Sequence, residues 1–402
     1  MIRNFIEIDT NQVNADALYA LTERMYPICR SITGEGVRET LRILQSVVPL
    51  QLHEVPTGTP AYDWLVPREW NIRDGYIKDA KGNKIVDFKN CNLHVLNYSI
   101  PVHKNVSLHE LKEHCFTLPE HPDWIPHKTS YYKEAWGFCM AHNQFLSLAD
   151  EEYEVFIDSS LTDGSLSYGE YFIKGESEEE ILIYSHTCHP SLCNDNLSGL
   201  AVSAYLASIL MDKPLKYSYR FVFGPATIGS ITWLSQNEKI LPKIKHALII
   251  TLVGDRGSFT YKRSRSGNVL IDRALLTALA DYGQPYEVID FSPYGYDERQ
   301  FCSPGITLDA GRITRTPNGC YEEYHTSADN LVFISAESLF DSLQLCLDAI
   351  NILETNESYL NLNPKCEPQL GKRGLFNRVS GSKHIGVNDL ATLWVLNLSD
   401  GL

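Results

Sequence analysis

Two histidines and a carboxylate stand close together where an apolar run meets a cluster of small residues. Ile181-Leu182-Ile183 leads into His186 and His189, and Asp195 follows just ahead of Asn196-Leu197-Ser198-Gly199. Imidazole nitrogens and a carboxylate oxygen at the carboxyl end of a buried strand are the donors of a divalent-metal site. The same residues admit a plainer reading. A histidine after a strand often only hydrogen-bonds, and Asn194-Asp195-Asn196 is a good helix N-cap sequence. Spacing alone leaves both readings open.

A second phrase lies far downstream, Tyr324-His325-Thr326-Ser327 with Asp329 after it. His325 is a further candidate metal donor, and Asp329 is placed to hold its second ring nitrogen, as metal-bound histidines require. Asp255 closes Leu252-Val253-Gly254, where an α/β site wants a carboxylate. In Tyr296-Asp297-Glu298-Arg299-Gln300, Glu298 suits a general base or a ligand, and Arg299 suits a bidentate clamp on a substrate carboxylate. The plainer reading makes Asp297 and Arg299 a surface ion cluster. Cys188 and Cys193 flank the first phrase and read as buried packing thiols.

These residues need a scaffold that puts strand ends together. Strand-like runs at Glu154–Asp158, Ile181–Ser185, Tyr219–Gly224 and Ala247–Leu252 alternate with helical patterns at Leu197–Met211, Ile228–Asn237, Val269–Tyr282 and Ala336–Leu353. That alternation predicts a mixed α/β sheet flanked by helices, with ligands bound where the strands end. Residues 14–50 read as helical on either side of Tyr26–Gly36, a turn rich in Gly and hydroxyls that can approach a ligand. From 58 to 129 the texture changes to short alternating pieces between turn residues, a small inserted β-rich domain. The α/β domain is then discontinuous, 1–57 and 130–365, and 366–402 form a turn-rich C-terminal tail.

The bulk properties bound the function. The 402 residues carry 44% hydrophobic and 21% charged side chains, a soluble globular profile. With 35 Lys+Arg against 50 Asp+Glu the formal charge is −15, which disfavours nucleic acid and anionic membrane as partners. Ten scattered cysteines without a CxxC pair read as reduced thiols, and no leader or apolar span opens the chain, so a cytoplasmic location is expected.

Taken together, the strand–His phrase, Asn194–Gly199 and Tyr324–Ser327 resemble the co-catalytic zinc aminopeptidase superfamily. More closely, the chain is similar to the bacterial aminopeptidase-like proteins of uncharacterised role. The matching phrases are Tyr26–Gly34, Asp63-Trp64, Cys188–Ser191, Asp297–Gln300, Cys302–Gly305 and Glu367–Gly374. The resemblance implies a phosphorylase/hydrolase-like α/β fold and one zinc ion, with two as the alternative. It makes Asp195 the central ligand, His325 a second and His189 or His186 a third, with Asp255 on a second metal.

Two departures stand out. Relatives often read Pro-Glu-Thr-Ile-Gly-Ser in the next strand-to-helix loop, whereas this chain reads Pro225-Ala226-Thr227-Ile228-Gly229-Ser230. A methyl group neither accepts a proton nor binds a metal, so Glu298 or Glu323 is expected to substitute. Relatives also continue into a winged-helix-like module, of which 366–402 reads as a remnant. The expectation is a zinc-dependent amide hydrolase of a small peptide or an N-acyl or aminoacyl substrate, with Arg299 and Tyr324 as substrate contacts and a homo-oligomer allowed. The alternatives are a single-zinc acyl-transfer or cyclisation enzyme, or a zinc-containing binding protein that lost turnover with the loop glutamate.

Overall fold

The computed structural model describes residues 5–357, 362, 365–366, 368–375 and 386–398. Its largest sheet runs in the order Gln51–Pro56, Ser165–Ile173, Ser218–Gly224, Glu180–His186, Ile244–Ile250, Ala310–Thr314, Phe259–Lys262 and Tyr286–Ile289. Glu180–His186 pairs in parallel with both of its neighbours, and Ile244–Ile250 pairs in parallel with Ala310–Thr314. Every residue of Glu180–His186 and Ser218–Gly224 is buried, as strands covered on both faces must be.

Successive side chains of a strand point to opposite faces, and the two cores follow that parity. Ile181 and Ile183 join the core with Leu18, Val37, Leu206 and Leu343, beneath the helices Ala15–Met25, Glu35–Leu44, Gly199–Leu210 and Ala336–Thr355. Leu182 and Tyr184 join Trp233 and Phe301 on the other face, beside Ile228–Gln236. His186 follows Tyr184 by two residues and so emerges on that second face, at the carboxyl end of the sheet.

The strand-like run at Glu154–Asp158 does not enter this sheet. It lies within Glu152–Thr162, which pairs antiparallel with both Glu69–Lys78 and Val102–Ser107 in a smaller four-stranded sheet completed by Lys84–Asp87. The physical reason is visible in its burial, which alternates: Tyr153, Val155 and Ile157 are buried and their neighbours are not. Alternation marks an antiparallel strand with one face on a core, not a doubly covered parallel strand. Residues 5–354 form one compact unit. The described residues from 355 onward belong to another, with a turn at Gly371–Arg373 and a helix at Val387–Leu398. Glu367 and residues 399–402 lie outside the described residues.

Candidate metal centre

The loop after Glu180–His186 is stitched to the next strand end by its own asparagines. Asn194 Oδ1 accepts the amides of Gly254 (2.8 Å) and Asp255 (3.2 Å), and Asn196 Oδ1 accepts that of Leu252 (3.1 Å). Asn196 Nδ2 donates back to Ser185 Oγ (3.0 Å) and the His186 carbonyl (3.2 Å). These side chains therefore do not cap the following helix. Asp329 accepts the backbone amides of Asn194 (2.6 Å) and Asp195 (3.0 Å). The expectation that Asp329 holds the His325 ring is corrected: both of its oxygens serve the backbone of the Asp195 loop, where they satisfy amides that burial would otherwise orphan.

With its backbone held in this way, the Asp195 carboxylate faces the imidazoles. Oδ1 lies 2.9 Å from His186 Nε2 and Oδ2 lies 3.0 Å from His325 Nε2. Donor atoms of His189, Asp195 and His325 all fall within 4.8 Å of one another. His189 and His325 both adopt left-handed backbone, φ 71° and 58°, a conformation that persists where the surroundings over-determine it. Tyr296 stacks on His186 (5.0 Å between centroids) and Tyr324 stacks on His325 (4.0 Å), and their hydroxyls meet at 3.2 Å. The two tyrosines brace two candidate ligand rings from behind.

A fourth imidazole completes the cluster. His127 donates its backbone amide to the His325 carbonyl (2.7 Å), and its ring lies 5.1 Å from that of His189 and 5.3 Å from that of His325. It sits in the proline-rich stretch between the small sheet's strands Val102–Ser107 and Glu152–Thr162, brought in by the bridge Pro126–Thr326. No periodicity or motif marks it in the sequence. Its Nε2 is buried and has no partner.

The charge balance asks for a cation. Burial opposes ionisation of Asp195, but His189, His186 and His325 together hold its carboxyl well below the usual range. Burial meanwhile depresses His189 to about 3 and His127 well below its ordinary value, so both rings stay neutral. The ion pairs of Asp195 among the described residues are with His186 and His325 alone, and no lysine or arginine reaches it. A buried carboxylate amid imidazoles, two of which have a buried ring nitrogen without a partner (His186 Nδ1 and His127 Nε2), is a donor set that zinc fits.

The other expected site residues lie elsewhere. Asp255 is consumed by Gly257 and Thr316 amides, the Thr316 hydroxyl and Asn194 Nδ2, and is not gathered with the imidazoles. Glu298 is buried between Lys262 (3.0 Å) and Arg312 (3.4 Å). None of its described contacts reaches the cluster. Arg299 is half-buried with an unpartnered Nε, and Glu323 is half-buried two residues before His325. Asp297, not expected at the site, accepts from Ser230 Oγ (2.6 Å) while Oδ2 has no partner. Burial lifts it to about 6, opposed chiefly by His186 and the Ser230 hydrogen bond. A cavity of about 620 Å³ is lined by Tyr26, Cys29, Trp70, Asn71, Ser191 and Ser327 among others. It takes in the Tyr26–Gly36 turn and borders the loops of His189 and His325.

The sheet and its strand-end site define an α/β protein with the zinc aminopeptidase fold. The structure of BSAP, a zinc aminopeptidase from Bacillus subtilis, matches with a TM-score of 0.61 over 84% of this chain and 94% of that one, at 13% identity. An aminopeptidase from Aneurinibacillus sp. strain AM-1 matches at 0.55, 12% identical, over 85% and 94%. Residues 19–356 match the family described as Domain of unknown function (DUF4910), and the chain belongs to that family. Residues 357–402 match a winged helix-turn-helix family. A Clostridium acetobutylicum protein provisionally named a polysaccharide biosynthesis protein with aminopeptidase-like domain is 52% identical over 394 residues, 98% of this chain and 91% of its own. A crystal structure from C. acetobutylicum, provisionally named a peptidase, has a TM-score of 0.89 and 53% identity over 96% of this chain and 88% of that one. The chain is thus similar to aminopeptidase-like proteins. Among the described residues no helix is long and apolar enough to cross a membrane.

Proposed function

We propose that the protein is a zinc-dependent, aminopeptidase-like hydrolase of an amide bond in a small peptide or an N-acyl or aminoacyl substrate. The observation that carries this reading is the buried Asp195 carboxylate facing His186, His189 and His325 at the carboxyl end of the sheet's parallel strands. His189, Asp195 and His325 would hold one zinc ion, which when bound supplies Lewis-acid polarisation of the amide carbonyl. Asp329 fixes the Asp195 backbone, and Tyr324 and Tyr296 fix the His325 and His186 rings. Ala226 leaves no proton acceptor in its loop, and His127 takes that part: its Nε2 is unpartnered beside the cluster and its ring is neutral. The cavity beside Ser191 and Ser327 seats the substrate. The acidic charge favours a small-molecule or peptide substrate over nucleic acid or membrane, and the scattered cysteines favour a cytoplasmic setting.

Ala226 also supports a second reading, a zinc-containing binding protein without turnover. Metal analysis beside a substrate panel separates the two. The relative's name attaches it to polysaccharide biosynthesis, so aminoacylated and N-acylated amino sugars belong in the panel beside short peptides. Zinc with amide cleavage supports the hydrolase; zinc with ligand binding and no cleavage supports the binding protein. Ring closure of an amino-terminal residue would instead support a cyclisation enzyme. A protein that takes up no zinc under any of these conditions removes the hydrolase reading.

A further inference from the structure

We propose that His186, Cys188 and His189 form a second cation position, which takes a thiophilic divalent ion through the Cys188 sulfur. The inference goes beyond the hydrolase reading and does not depend on turnover. Donor atoms of these three residues lie within 4.8 Å of one another, and all three side chains are buried. His189 belongs to both trios, so this position abuts the Asp195 centre.

Two features point to an ion. His186 is fully buried, yet its Nδ1 has no hydrogen-bond partner, while Nε2 is taken up by Asp195. A buried imidazole nitrogen without a partner costs desolvation that a ligand would recover. Cys188 Sγ accepts the backbone N–H of Ala226 at 3.2 Å, an interaction that stabilises sulfur as it gains negative charge. The sulfur also contacts the Ala226 carbonyl at 3.7 Å, and its other face borders the apolar core with Leu182 and Phe301. A thiolate beside two imidazoles is the mixed soft donor set that zinc and cobalt(II) accept. On binding, the thiol proton leaves to solvent and the sulfur–metal bond replaces the S–H bond. Cys193, five residues on, belongs to the apolar core with Leu197 and Leu200 and serves as a control.

The test is a cobalt(II) titration of the full chain followed by absorption spectroscopy, with Cys188→Ser and Cys193→Ser run in parallel. Wild type and Cys193→Ser should show a near-ultraviolet sulfur-to-cobalt charge-transfer band that Cys188→Ser lacks, while visible d–d bands from nitrogen and oxygen donors persist in all three. Visible bands without the sulfur band in wild type overturn this proposal alone and leave the hydrolase reading standing. A sulfur band that survives in Cys188→Ser also overturns it. No cobalt spectrum in wild type overturns both readings together.

Discussion

His325 Nε2 and Asp195 Oδ2 meet at 3.0 Å across 130 residues of chain. The fold brings the two side chains together, and His186 occupies the other oxygen of the same carboxylate. His325→Ala should therefore lower zinc affinity by at least about tenfold, since even outer partners of a metal site are worth that much. Asp195→Asn should do the same while removing the charge that calls for the cation. Equilibrium dialysis with metal analysis reads both. Unchanged zinc content in His325→Ala would remove the site assignment.

His127 separates metal binding from proton transfer. Its ring abuts those of His189 and His325 without a place in either compact donor trio. His127→Gln should keep zinc at the wild-type level while cutting kcat about 10²- to 10⁴-fold, the usual contribution of a positioned general base. An equal loss of metal and activity would make His127 a ligand. Full activity would return the role of base to Glu323, whose variant Glu323→Gln then becomes the decisive one.

Glu298 makes the opposite prediction. It is the shared anion of two buried cations, Lys262 at 3.0 Å and Arg312 at 3.4 Å. Removing one member of a buried ion pair leaves its partners uncompensated, at a cost of about 3–5 kcal/mol. Glu298→Ala should lower the denaturant midpoint by a corresponding amount and leave the zinc content of the folded protein unchanged. A variant as stable as wild type but inactive would restore Glu298 to the chemistry.

What could be read from the chain follows from the range of each interaction. The parallel strand ending at His186 announces itself, because double burial demands an unbroken apolar run; the helix after Asp195 does so by its small residues and apolar content. The inner strands Ser165–Ile173 and Phe259–Lys262 are harder to read, because each has an antiparallel neighbour in the mixed sheet. Within the site, Asp195, His186, His189 and His325 stand in recognisable local phrases. His127 does not: only a bridge between Pro126 and Thr326 places it there. Asp255 and Asp329 show the complementary failure. Their positions in the chain suit a ligand and a ring partner, but their oxygens go to nearby amides and hydroxyls, and spacing cannot say which of several acceptors a buried amide will choose.

The cavity wall yields a pH prediction. Arg38, on Glu35–Leu44, forks onto Glu69 of the smaller sheet at 2.8 and 2.6 Å and also reaches Glu54 at 3.0 Å. That pairing clamps the helix bearing Glu35, Gly36 and Glu39 against the strand bearing Trp70 and Asn71, the two walls of the cavity. Arg38 lowers the Glu69 carboxyl to about 2 from its ordinary value of 4.5. Because the folded value is the lower one, the ionised form is favoured by folding. The contribution is fully present above pH 4.5 and is lost as pH falls towards about 2. Glu69→Gln should accordingly lower Tm by a constant amount at neutral pH, and the gap from wild type should narrow steadily as the pH is taken below 4.5. A gap that does not narrow in acid would show that the clamp stabilises the wall by packing and not by charge.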